Sequence, residues 1–233
     1  RSERPVVLTS TSGRTRQGFE ALVRLAELLA LPIVERRERT NFPTSHPLHQ
    51  GFQPGPFVQA ADLILVLDSD VPYIPTQVMP RADATIVQID LDPVKDRIPL
   101  WTFPLTAAIR ADSARALELI ADYAADLMTD EVRQRVEKRR AELTVRHNER
   151  RTARKALAMA GRESQTISTE WLGYCIGQFQ RDAPDCVFVD ESLTSHVAVW
   201  NHLDTDEPET MFGSGGSSLG WGLGAALGIK LAR

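Results

Sequence analysis

Short apolar runs alternate along the first half of the chain with stretches whose apolar residues recur every three or four positions. Residues 5–9 (P-V-V-L-T) predict a buried strand. Phe19, Leu22, Val23, Ala26, Leu29 and Ala30 share one helical face, and that helix should end before Pro32. Residues 33–35 predict a second short strand, 61–67 (A-D-L-I-L-V-L) the clearest one, 84–89 a fourth and 105–109 a fifth. Asp112 or Ser113 caps the helix that follows, which runs to about Leu127. Strand, loop, helix and strand in this order open a doubly wound parallel sheet. The expected fold class is therefore α/β, with a Rossmann-like central domain over residues 1–128. The Thr11-Ser12-Gly13 turn lacks the G-x-G-x-x-G fingerprint and reads as a plain strand-to-helix turn.

Residues 130–160 break the pattern. They are dense in Arg, Lys and Glu, with a thin apolar stripe through Val132, Val136, Leu143 and Leu157. A fully helical segment of that length spans about 45 Å. Glu137, Glu142 and Glu149 interrupt the basic residues and no aromatics accompany them, so a solvated linking helix over 129–165 is expected. Gly161 to Ser164 ends it. Beyond lies part of a second α/β domain, 166–233. It holds a helix capped by Ser168 or Thr169, a strand at 186–189, a short helix near 197–203, an acidic loop and a closing helix.

Composition narrows the partners. A net charge of −4 and a pI near 5.8 argue against nucleic acid. No run is long and apolar enough to span a bilayer. Two cysteines, Cys175 and Cys186, make neither a disulfide framework nor a cysteine zinc site, which suits a cytoplasmic protein. The chain opens at Arg1 without a leader and stops directly after a helix, so an internal piece of a longer protein is expected.

Candidate chemistry sits at strand ends. Asp90 and Asp92 follow the fourth strand, where an acid can hold a ribose hydroxyl pair, ligate a metal or cap a helix. His46 and His49 lie among Pro43, Pro47 and Pro54, which exclude a regular helix; a surface loop is expected there. Asp190-Glu191-Ser192-Leu193-Thr194-Ser195-His196 follows the strand at 186–189. The last stretch reads F-G-S-G-G-S-S-L-G-W-G-L-G-A-A-L-G. A glycine-rich loop feeding a helix N-terminus suits an anion, and the many helical glycines suggest that something packs very close.

The D-E-S strand end together with S-G-G-x-x-L-G-W-G-L-G-A-A-L-G resembles the thiamine-diphosphate-dependent enzymes of the acetolactate synthase, benzoylformate decarboxylase and pyruvate oxidase group. The resemblance spans nearly the whole chain, covering the family's central domain and the start of its diphosphate-binding domain. It implies cleavage or formation of a bond beside the carbonyl of a 2-oxo acid. Leu219 matches the apolar residue that bends the cofactor, and the backbone carbonyl of Ser217 matches the acceptor for its amino group. Thr194, Ser195 and His196 match the diphosphate loop, while Gly216, Ser218 and Gly220 belong to the same close-approach motif. The resemblance also implies Mg2+ and a homodimer or homotetramer.

Departures accompany it. Gly224 replaces the family's proline, and Ser217 its usual glycine. The G-D-G…N metal motif and the activating glutamate are absent, so no catalytic or metal residue is expected within this chain, and the piece alone is expected to be inactive. The stretch after the third strand, D-S-D-V-P-Y-I-P, lacks the arginine of the FAD-binding members, which argues against FAD. ADP at Asp90 and Asp92, or an empty pocket, remain. The rival reading is a Rossmann-type adenine-nucleotide-binding regulatory module without thiamine diphosphate chemistry.

Overall fold

The computed structural model describes residues 2–36, 38–99, 101–215 and 219–232. Strands β1 (Pro5–Thr9), β2 (Ile33–Glu35), β3 (Leu63–Leu67), β4 (Thr85–Asp90) and β5 (Ala107–Arg110) form one parallel sheet in the order β2-β1-β3-β4-β5. Alternate residues of a strand face opposite ways, and this sheet uses both faces. Val7, Ile33, Leu67 and Ile89 point to helices α1 (Arg16–Leu29) and α3 (Ser113–Asp126), where Leu22, Leu25 and Leu117 meet them. Val6, Leu8, Ile64 and Val66 point the other way, onto Val58 of α2 (Gly55–Ala60), Tyr73 and Val78. Each fully buried Leu or Ile contributes about 1.5–3 kcal/mol. This is the doubly wound α/β arrangement read from the alternating pattern.

Helix α4 (Asp130–Ala160) begins where the Thr129 side chain accepts a hydrogen bond from Val132 N, with Asp130 and Glu131 in its first turn favoured by the helix dipole. It is more than a solvated connector. Val136 and Leu143 are buried in the first core. Arg139 donates to the carbonyls of Ala30 (2.9 Å) and Leu29 (2.5 Å), the acceptors left open at the end of α1. Leu157 departs from the expected stripe: it is 59% exposed, and Ala158 is buried instead.

The proline-rich segment between β2 and α2 is also not the surface loop expected. Thr40, Asn41, Phe42, Leu48, His49, Gln50 and Phe52 are all buried. Its backbone runs beside β2 and pairs with it: Ile33 N donates to Leu48 O, Gln50 N to Ile33 O and Glu35 N to Gly51 O. Main-chain pairing of this kind lets irregular backbone be buried without cost in unmade hydrogen bonds.

Beyond α4 come α5 (Thr169–Asp182), β6 (Phe188–Asp190), α6 (His196–His202), β7 (Met211–Gly213) and α7 (Trp221–Ala232). Ser168 caps α5, and β6 pairs with β7 in parallel. Gly173 and Gly177 bring α5 against the backbone of α6 at Ala198 and His202, leaving no room for a β-carbon. A small core joins Val199, Trp200, Leu203 and Met211 to Phe52 of the first half. Strand β7 also reaches back: Gly213 N donates to Glu38 O at 2.8 Å, and Arg39 bridges Phe212. None of α7 is buried; Leu223, Leu227 and Leu231 stand exposed along it. Among the described residues, no helix is long and apolar enough to cross a membrane.

Candidate functional site

A cavity of about 230 Å³ opens at the carboxyl ends of β6 and β7, the side on which parallel sheets bind ligands. Its wall comes from three places: Asp190 to Leu193 with His196, Gly213 to Gly215 with Leu219, and Arg36 and Glu38 beyond the end of β2. Two acids of the wall are structural. Asp190 accepts from Trp200 Nε1 at 2.5 Å and from Ser192 N at 2.9 Å, which pins the strand end to α6. Glu191 accepts from Trp221 N at 2.9 Å and Gly222 N at 2.8 Å. The Gly222 N–H above all holds the Glu191 carboxyl below its usual range.

That arrangement changes the reading of the glycine-rich stretch. Two of the N–H groups at the start of α7, expected to face a bound anion, already have one in Glu191. A β-carbon at Gly222 would lie 2.9 Å from Glu191 Oε2, so the carboxylate could keep its place only if residue 222 is glycine. Gly220 has φ +91°, a conformation that favours glycine. By contrast, an added β-carbon at Gly220, Gly224 or Gly228 meets nothing within 4 Å, so no described residue packs closely there.

The expected site residues divide. Leu219 is 79% exposed and lines the cavity. His196 lines it too, at the first turn of α6, and its Nε2 is buried without a partner. Thr194 instead lines a separate cavity of about 140 Å³ with Leu157 and Val197. Ser195 precedes α6 and makes no side-chain cap. Gly216, Ser217 and Ser218 lie outside the described residues.

Arg36 and Glu38 were not foreseen. The signal available was the charged E-R-R-E run at the end of a parallel strand. Burial lowers the Arg36 guanidinium and raises the Glu38 carboxyl, the latter helped by the charge of Asp70. An exposed apolar side chain, Leu219, standing in an otherwise polar cavity fits a ligand with both a ring and a polar tail.

The nucleotide candidates sit elsewhere, at the end of β4. Asp90 is buried, with Lys95 Nζ at 2.8 Å from one oxygen and Asp92 N donating to the other at 2.9 Å. Its carboxylate is thus committed inside the fold rather than presented to a ribose. Asp92 is more exposed, 3.9 Å from Arg110.

No family model matches the chain. Benzoylformate decarboxylase of Pseudomonas aeruginosa is 28% identical over 249 residues, an alignment covering 100% of this chain and 42% of that protein. Among solved structures, the thiamine diphosphate-dependent 4-hydroxybenzoylformate decarboxylase of Rhodococcus jostii RHA1 matches with a TM-score of 0.70 at 21% identity, over 100% of this chain and 41% of the other. Benzoylformate decarboxylase from Polynucleobacter necessarius matches with a TM-score of 0.68 at 20% identity, over 99% and 41%. The relatives and structural neighbours are thiamine diphosphate-dependent enzymes. The structural likeness shows a shared fold, and the chain spans about two fifths of the length of these relatives.

Proposed function

We propose that this chain is the central domain (1–128), linking helix (129–165) and first part of the diphosphate-binding domain (166–233) of a thiamine diphosphate-dependent enzyme acting on 2-oxo acids. The observation that carries the reading is Leu219: an apolar side chain, 79% exposed, standing in a polar cavity at the strand ends. It occupies the apolar position of the S-G-G-x-x-L-G-W-G motif. The relatives' names favour decarboxylation over carboligation.

In this reading Leu219 would hold the apolar part of the cofactor, and His196, which lines the same cavity, would stand beside it. Asp190 and Glu191 hold the two walls in place through Trp200 and the start of α7. Bound thiamine diphosphate supplies the electron sink that lets carbon dioxide leave a 2-oxo acid. Glu38, Asp190 and Glu191 line this cavity beside Arg36, so a diphosphate bound there would need a divalent cation such as Mg2+ with it. The cation's ligands and the activating acid come from outside this chain, the acid from a neighbouring subunit of a homodimer or homotetramer. The chain alone is inactive.

The test is calorimetry of magnesium thiamine diphosphate on the full-length protein containing this chain, with carbon dioxide release from benzoylformate and pyruvate. Saturable binding and turnover of one of the two acids are expected. Leu219→Ala removes about 1.5–3 kcal/mol of apolar contact, which weakens cofactor binding by about 10- to 100-fold. Indifference of the full-length protein to the cofactor would end the proposal.

A further inference from the structure

A second cavity, of about 360 Å³, lies between α4, α5 and the end of α6 and shares no lining residue with the Leu219 cavity. Arg151, Arg154, Lys155 and Arg181 line it, with Tyr174 and His202 among its remaining walls. Asp204 is the carboxylate present, and two of the cations already use it: Arg151 at 2.8 Å and Arg181 at 3.1 Å. Among the described residues no carboxylate pairs with Arg154, Lys155 or the neighbouring Arg150.

The deficit of negative charge continues behind the cavity wall. Arg150 donates to His49 O at 2.6 Å, but its Nε and Nη1 are buried without an acceptor. Its Nη1 and the Nη2 of Arg154 converge on Gly51, whose missing side chain leaves space for both: an added β-carbon would lie 3.5 and 3.3 Å from them. Burial, then the charges of Arg154, Arg146 and Arg151, brings Arg150 down to about 9. Burial, then Arg151, brings Arg154 down to about 10. Burial, then the charges of Arg154, Arg181 and Arg151, lower His202, so it adds no proton that would need a counterion at neutral pH. Buried cations persist in folded proteins when an anion meets them. Arginine forks match phosphate oxygens in particular, and a strongly hydrated lysine adds a movable charge. The ring of Tyr174, stacked on Trp171 at 5.6 Å, gives the cavity a flat side.

We propose that this cavity is a second ligand site, taking a small polyanion of the phosphate class, a phosphate or diphosphate group, on Arg154 and Lys155 with Arg151 and Arg181 at its edge.

Pyrophosphate is the probe. It is added to the full-length protein already saturated with magnesium thiamine diphosphate, so that the Leu219 cavity is filled, and compared with sodium chloride at equal ionic strength. Calorimetry should show saturable binding, thermal unfolding should shift upward beyond the chloride control, and Trp171 emission should change in step. Arg154→Gln and Lys155→Gln should each weaken pyrophosphate about tenfold or more while leaving thiamine diphosphate affinity unchanged. Lys155 is exposed, so its variant folds even where the arginine variant does not. Stabilisation no greater than that by chloride, or equal pyrophosphate affinity in the wild type and Lys155→Gln, would overturn the proposal.

Discussion

Glu35 and His49 form the most unusual pair of side chains in the first half of the molecule. Both are almost wholly buried, with His49 Nε2 3.3 Å from Glu35 Oε1. The other oxygen of Glu35 accepts from Asn41 N at 2.9 Å and Asn41 Nδ2 at 3.0 Å. Burial raises the Glu35 carboxyl to about 8 and drives His49 well below its usual value. Glu35 therefore holds a proton in the folded state that the unfolded chain releases above its ordinary pKa, so stability falls as pH rises toward 8. His49 acts oppositely below its ordinary pKa, where only the unfolded chain binds the proton. The two effects offset between about pH 4.5 and 6.5, leaving Glu35 alone above that. Urea unfolding of the wild type should show stability declining by up to about 1.4 kcal/mol per pH unit between about pH 6.5 and 8. Glu35→Gln should flatten that decline; an unchanged slope would show that another group titrates there. None of this pairing was legible in the sequence, because Pro43, Pro47 and Pro54 around His49 suggested exposed turns. They instead shape a buried segment laid along β2.

At the scale of elements, glycines of the same appearance in sequence have opposite surroundings. At Gly173 an added β-carbon would sit 2.6 Å from Ala198 O, where α5 meets α6. Gly173→Ala gains about 1 kcal/mol of helix propensity and loses about 1–3 kcal/mol to overpacking, a net loss in thermal unfolding. Gly224 on α7 meets nothing within 4 Å. Gly224→Ala should stabilise this chain by up to about 1 kcal/mol. If α7 is closely covered in the full-length protein, as its glycines and exposed leucines suggest under the proposed function, the same change should destabilise that protein. Equal stabilisation of both would show that nothing packs on this face. Long periodic segments, α1, α3, α4 and α5, were readable because many apolar positions report one face. The three-residue β7 was not: Met211, Phe212 and Gly213 carry too few positions for any period, and its identity comes from pairing with β6.

For the whole molecule, the parallel character of the five-stranded sheet was legible in its alternating elements, whereas its strand order and the join between the two sheets were not. That join rests on Phe52, whose ring meets Trp200 at 5.5 Å and which packs in the core with Met211. Phe52→Ala should cost about 3–5 kcal/mol. Calorimetric unfolding should then separate into two transitions where the wild type shows one; a single transition in the variant would place the coupling elsewhere. The candidate site was half legible for the same reason. Leu219 and His196 announce themselves in a motif, but Arg36 and Glu38 arrive through tertiary approach from a strand far away in sequence.

The stitch between Gly213 N and Glu38 O, with the Arg39 bridge to Phe212, has a bearing on recombination. A chimera that kept the glycine-rich loop but borrowed its first sheet from another scaffold would exchange Arg36, Glu38 and Arg39 as well, and the rim and stitch they form would no longer align. A crossover that respects the fold carries the stretch following the second strand along with the C-terminal motif, even though most of the chain separates them.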